Sequence, residues 1–138
     1  MAPLIIPIPR AIEPVMSKNF AQWSKSVRNG DHEAVAQLYA EEATFHPTLS
    51  DQFVRGRKDI AEYFEYFLKF QPVPSIVEEA VQSIGEAKLY LHTGIYRFDF
   101  REASHHLIAR FSFLHEWDGR SWTITHHHSS STPPLAKS

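Results

Sequence analysis

The chain of 138 residues has no cysteine. That absence removes disulfides, a thiolate nucleophile and any Cys-ligated zinc. An excess of one charge sign is also missing: 14 Lys and Arg stand against 16 Asp and Glu, a formal net charge of −2. Without a basic surplus to neutralise phosphates, nucleic acid is not an expected partner. Long hydrophobic runs are missing too. The apolar stretch Pro3 to Pro9 falls far short of the roughly 20 residues that span a bilayer. It also lacks the basic start and unbroken apolar segment of a signal peptide. The expectation is a cytoplasmic protein with no membrane partner. There is no dinucleotide fingerprint, no phosphate loop and no Gly-x-Ser-x-Gly elbow, which argues against nucleotide chemistry and a serine-hydrolase triad.

What is present is apolar surface and histidine. Hydrophobic residues make up 43% and aromatics 13%, enough for the core of one domain. Nine histidines occur, three of them consecutive.

Proline punctuation predicts an extended N-terminal arm over residues 1–16. Ser17 reads as an N-cap, followed by the stripe Phe20, Trp23, Val27 and a stop at Asn29-Gly30. Asp31 caps a second, short helix carrying Val35, Leu38 and Tyr39. Residues 43–50 read as a strand bent by Pro47. A third helix over 58–70 buries Ile60, Phe64, Phe67 and Leu68 and ends at Pro72 and Pro74. Four strands follow, near 75–84, 87–100, 104–117 and 121–130, with turns at Gly85-Glu86 and Asp118-Gly119. Residues 133–138 read as a loose tail. The whole is α+β: one domain over 17–132, three helices on one face of a strongly bent antiparallel sheet.

Chemistry concentrates on the last strand, Trp122-Thr123-Ile124-Thr125-His126-His127-His128-Ser129-Ser130. Period-two alternation puts Trp122, Ile124, His126, His128 and Ser130 on one face. Two large apolar residues lead that set, so it is assigned to the covered face. A β-bulge would exchange it for His127 and Ser129. Imidazole takes protons near neutral pH, and a serine hydroxyl donates to an anionic oxygen. Thr48, Tyr63 and Tyr66 are further hydroxyl candidates. Neither a third metal ligand nor a cofactor motif accompanies the histidines, so no metal and no cofactor are expected. His105-His106 and His115 read as ordinary strand residues, and Glu78-Glu79 as solvated surface.

The order of elements resembles the cone-shaped nuclear-transport-factor-2-like (SnoaL-like) fold, and within it the association domain of calcium/calmodulin-dependent protein kinase II and its bacterial relatives. The resemblance rests on Phe45-x-Pro47, Val54-x-Gly56, Tyr63-Phe64, Asp118-Gly119…Trp122 and His126-x-His128-x-Ser130. The segments His126-His127-His128-Ser129-Ser130, Pro47-Thr48-Leu49-Ser50 and Tyr63-Phe64-Glu65-Tyr66-Phe67-Leu68 are similar to those of the iota-class carbonic anhydrases. That resemblance implies reversible hydration of CO2 to bicarbonate, metal-free in some members. It implies Thr48, Tyr63, His128 and Ser130 as catalytic residues, with Tyr66, His126 and Phe67 lining a small apolar pocket. Tyr66 in place of Tyr63, and His127 with Ser129 in place of His128 with Ser130, stay open. A dehydratase or isomerase of a cyclic metabolite on the same fold, or a non-enzymatic assembly module, are the alternatives. A homodimer is expected.

Overall fold

A computed structural model describes residues 8–86 and 88–134. Three helices, α1 (Ile8–Arg28), α2 (His32–Gln37) and α3 (Arg57–Phe67), pack on one six-stranded sheet. The strands are β1 (Tyr39–His46), β2 (Val54–Arg55), β3 (Pro72–Ile84), β4 (Leu89–Phe100), β5 (His105–Trp117) and β6 (Trp122–Ser131), in the order β2-β1-β6-β5-β4-β3. The expected α+β architecture is the one observed. One pairing departs from the expected antiparallel sheet: β1 runs parallel to β6. The connection between them passes through α3 and three long strands, which no local turn signal reports.

Helix α1 begins earlier than the proline pattern predicts. The arm expected to be extended through residue 16 is helical from Ile8, and Pro14 and Ser17 lie inside the helix. Residues 1–7 of that arm lie outside the described residues. Proline in a helix interior costs about 3 kcal/mol. Ile12 and Met16, both buried against Tyr90, offset it, since full burial of each contributes roughly 1.5–3 kcal/mol. The apolar stripe therefore runs Ile12, Met16, Trp23, Val27, two turns longer than expected. Asp31 caps α2 as anticipated, its Oδ1 accepting from the Ala34 N–H at 3.0 Å. Tyr39, expected on that helix, instead opens β1 and is buried. Helix α3 ends at Phe67 in a single 3₁₀ turn over Leu68–Phe70. Pro72 and Pro74 then sit in edge strand β3, where a missing N–H is tolerated. At the C-terminal end, residues 132–134 carry no helix or strand, and the rest of the expected tail lies outside the described residues.

The register shifts at a bulge in two of the antiparallel pairings, and again between Tyr39 and Thr44 where β1 meets β6. In β3, Ile76 pairs with Tyr96 and Glu78 with Ile95, leaving Val77 as the extra residue. A Cβ on the neighbouring Gly94 would collide with the Glu78 carbonyl, so only glycine lets the strands approach there. In β6, His126 pairs with Leu114 and Ile124 with His115, leaving Thr125 extra. The core lies inside the curve of the sheet, built on Trp23, Tyr39, Phe45, Phe64, Tyr96, Phe98 and Phe113.

Candidate functional site

The extra residue at Thr125 decides which histidine faces inward. Strict alternation from Ile124 would carry His126, His128 and Ser130 into the interior. The bulge consumes one position, so Ile124, His127 and Ser129 are the buried residues of β6. His127 is 1% exposed and Ser129 5%. His126 and Ser130 are half-buried on the opposite face, and His128 is exposed. The pocket-facing assignment of His126, His128 and Ser130 is thus replaced by the His127 and Ser129 pair.

His127 is stacked between two phenyl rings, Phe45 at 4.4 Å and Phe113 at 4.0 Å between centroids. Its nitrogens are both engaged. Nδ1 lies 2.8 Å from the Tyr39 hydroxyl, and Nε2 lies 3.1 Å from the Tyr96 hydroxyl. The Trp23 indole N–H donates to the Tyr39 oxygen at 3.2 Å. Tyr96 donates to Ser129 Oγ at 2.5 Å, and Ser129 Oγ lies 2.5 Å from Thr48 Oγ1. Tyr63 donates to the Thr48 carbonyl at 2.5 Å. Trp23, Tyr39, His127, Tyr96, Ser129 and Thr48 therefore form one connected chain through an aromatic interior. Thr48 and Ser129, each 5% exposed, are its outermost members.

Burial sets the electrostatics. Desolvation disfavours the imidazolium, so the His127 pKa is held well below its ordinary value, and His126, His115 and His128 add like-charge repulsion. Desolvation likewise raises the Tyr39, Tyr63 and Tyr96 phenols above the ordinary tyrosine range. At neutral pH every member is uncharged. The cluster offers hydroxyl hydrogens and no fixed ions.

The structure joins Thr48 and Tyr63 of the expected set to this chain. Phe67 is buried against Phe98 and Phe100 inside the core. Tyr66 is 46% exposed, edges onto Phe70 and lies with its ring 6.1 Å from that of Tyr63. On the outer face the Thr44 hydroxyl lies 2.7 Å from His126 Nδ1, and the His46 ring centroid is 5.8 Å from that of His126 and 5.2 Å from that of His128. Among the described residues, no group of three or more His, Cys, Asp or Glu side chains is arranged to hold a metal ion.

Tyr39 and Tyr96 escaped the sequence reading. Tyr96 carried a signal: Tyr90, His92, Tyr96, Phe98 and Phe100 alternate along β4, and all are buried. Tyr39 carried none, since the apolar spacing after Asp31 extends a helical stripe through it although the helix ends at Gln37.

The interior around His127 is filled by rings. Room for a ligand lies beside the loop carrying Thr48. One cavity of about 120 Å³ is lined largely by apolar groups, Leu49, Phe70, Phe100 and Leu107 among them. A second, of about 330 Å³, is bounded by Ser50, Phe53, Val54 and Tyr63. A larger groove of about 440 Å³ between α2 and α3 is charged and lies off the chain.

A second polar cluster occupies the other end of the sheet. Buried His92 places Nε2 2.9 Å from Glu79 Oε1, so Glu79 is not simply solvated. His115 is buried as well, stacked on Tyr90 at 4.5 Å, and its Nδ1 has no partner. Desolvation, with repulsion from His92, lowers the His115 pKa to about 3.

Residues 15–133 match the calcium/calmodulin dependent protein kinase II association domain family. Among solved structures, a candidate association domain of this kind from Xanthomonas campestris is 29% identical, with a TM-score of 0.81 over 87% of each chain. A nuclear-transport-factor-2-like protein of unknown function from Pseudomonas putida is 18% identical, with a TM-score of 0.78 over 91% of this chain and 90% of that one. A nuclear transport factor 2-like superfamily protein from Salmonella enterica is 16% identical, with a TM-score of 0.77 over 92% and 95%. No curated protein matches the chain.

Proposed function

The chain belongs to the calcium/calmodulin dependent protein kinase II association domain family, and on that premise we propose that it is a carbonic anhydrase, interconverting CO2 and bicarbonate. One observation carries this reading. Thr48 and Ser129, from two of the three segments that resemble the iota-class enzymes, are hydrogen-bonded to each other although 81 positions apart. They sit at the outer end of a neutral donor chain, and Leu49, the residue after Thr48, lines an apolar cavity of about 120 Å³ that has room for CO2.

In hydration, a water oxygen forms a bond to the CO2 carbon while one water O–H bond breaks. Negative charge develops on the former CO2 oxygens, and the Thr48 hydroxyl, held by Ser129, meets it. His127 orients Tyr96 and stays neutral. It is too weak a base to keep the released proton, which leaves to solvent or buffer. Tyr63 holds the Thr48 backbone and hence the loop.

Stopped-flow CO2 hydration on chelator-treated protein tests this. We expect acceleration that Thr48→Ala abolishes. An uncatalysed rate, or activity that zinc alone restores, would refute the metal-free reading.

A second reading, an assembly module, is favoured by the exposed Val77, Ile84 and Trp117 on the sheet strands. It pairs with a proposed homodimer. A dimer without hydration activity would support it over the enzyme.

A further inference from the structure

We infer that Tyr39 is a positioning residue that gives the interior chain a fixed direction, so that Thr48 Oγ1 presents its hydrogen outward to an oxygen that only accepts, the oxygen of a small carboxylate-type anion. The direction follows from what each group can do. An indole nitrogen donates and cannot accept. Trp23 therefore fills the Tyr39 oxygen and gives the Tyr39 hydrogen no outlet on its own side. Tyr39 is fully buried, and the acceptor within reach of its hydrogen is His127 Nδ1 at 2.8 Å.

Conservation of hydrogens carries that direction as far as Ser129. With Nδ1 accepting, neutral His127 carries its hydrogen on Nε2 and gives it to the Tyr96 oxygen. Tyr96 gives its own to Ser129 Oγ, which leaves the Ser129–Thr48 contact, where either hydroxyl can donate, with one hydrogen to spare; in the proposed direction Ser129 donates to Thr48 Oγ1. Thr48 retains one free hydrogen at the outer end. The reverse direction would have the indole N–H and an Nδ1–H both donate into Tyr39. The Tyr39 hydrogen would then be stranded among aromatic rings, a cost the observed arrangement avoids. Burial keeps the imidazole neutral, so a doubly protonated ring does not interrupt the chain. Tyr63 already donates to the Thr48 carbonyl.

The direction of the chain as far as Ser129 stands on the contacts of Trp23, Tyr39, His127 and Tyr96 and on the burial that keeps His127 neutral. Its use in holding bicarbonate rests on the enzymatic reading above. The test uses the full chain labelled with ¹⁵N-histidine, with His127 identified by comparison with His127→Gln. Proton–nitrogen correlation spectra at pH 7 should show His127 protonated at Nε2 and bare at Nδ1. In Tyr39→Phe either direction leaves Nδ1 unpartnered, so both tautomers should appear. Affinity for formate, the acceptor-only probe, should fall in step with the remaining Nε2–H fraction, about twofold for an even mixture. Thr48→Val should lose formate binding and keep the tautomer, and Thr48→Ser should keep both.

A wild-type His127 protonated at Nδ1 overturns the inference, whether or not Tyr39→Phe folds. So does a Tyr39→Phe protein with an unchanged single tautomer. Formate binding with the Nε2–H tautomer but no CO2 hydration would sink the enzyme and support the inference. Hydration with the Nδ1–H tautomer would do the opposite.

Discussion

Ser129 Oγ lies 2.5 Å from the phenolic oxygen of Tyr96, a residue 33 positions earlier in the chain. The contact ties β6 to β4 across the intervening strand β5, through the interior of the curved sheet. It therefore reports on both the fold and the proposed site.

Removing one partner of this pair leaves the other buried and unsatisfied. Ser129→Ala and Tyr96→Phe should each destabilise the protein by roughly 1–3 kcal/mol. The double variant should cost less than the sum of the two, because no orphaned group of the pair remains. Urea unfolding of the four proteins measures the coupling. Strict additivity would show that the contact contributes little.

Acid should unfold the protein through its buried histidines. The folded-state pKa of His115 is lowered to about 3 from an ordinary 6.5. For a lowered histidine the unfolded chain binds more protons, so stability is full above the unfolded value and falls as pH drops from there toward the folded value. His115 alone should cost about 2–3 kcal/mol at pH 4.5. His127 and His92, also lowered by burial, act in the same direction. The melting temperature should fall from pH 7 to pH 4.5, and His115→Phe should flatten that fall. Equal slopes for the two proteins would contradict the assignment.

The same lowering makes a kinetic prediction for His127. Being neutral well below pH 6.5, it should contribute no inflection to the hydration rate between pH 6 and 8. A pH–rate profile in that window checks this. A histidine-like step removed by His127→Gln would show that the imidazole titrates during turnover.

Gly94→Ala should be severe. The added Cβ would meet the Glu78 carbonyl in the bulged edge strand, and backbone has little room to yield. A loss of roughly 2–4 kcal/mol is expected from such a clash. Thermal denaturation measures it, and a neutral result would mean the bulge adjusts freely.

Much of the fold was legible because its signals are local. Asp31 announces a cap, Asp118-Gly119 a turn, and the alternation from Leu89 to Phe100 a strand with one buried face. The N-terminal helix was masked because Pro14 outweighs Ile12 and Met16 in any local reading, although their burial against Tyr90 decides the outcome. The candidate site was half legible. The His-rich strand stands out by composition and Thr48 enters through the family resemblance, but which histidine faces inward depends on one extra residue, Thr125. Its bulge is set by pairing with β5 and by the parallel neighbour β1, and neither is visible in a single strand. Tyr39 and Tyr96 reach His127 across 88 and 31 positions, so no spacing could assemble them.

Activity should depend on the inward pair, His127 and Ser129, which hold the donor chain, and not on the outward pair, His128 and Ser130. Oxygen-18 exchange between CO2 and water at equilibrium, with metal-free protein, compares Ser129→Ala with Ser130→Ala and His127→Gln with His128→Gln. Exchange should vanish for Ser129→Ala and His127→Gln and stay within about twofold of wild type for the outer-face variants. The opposite pattern, or no exchange above background in the wild type, would contradict it.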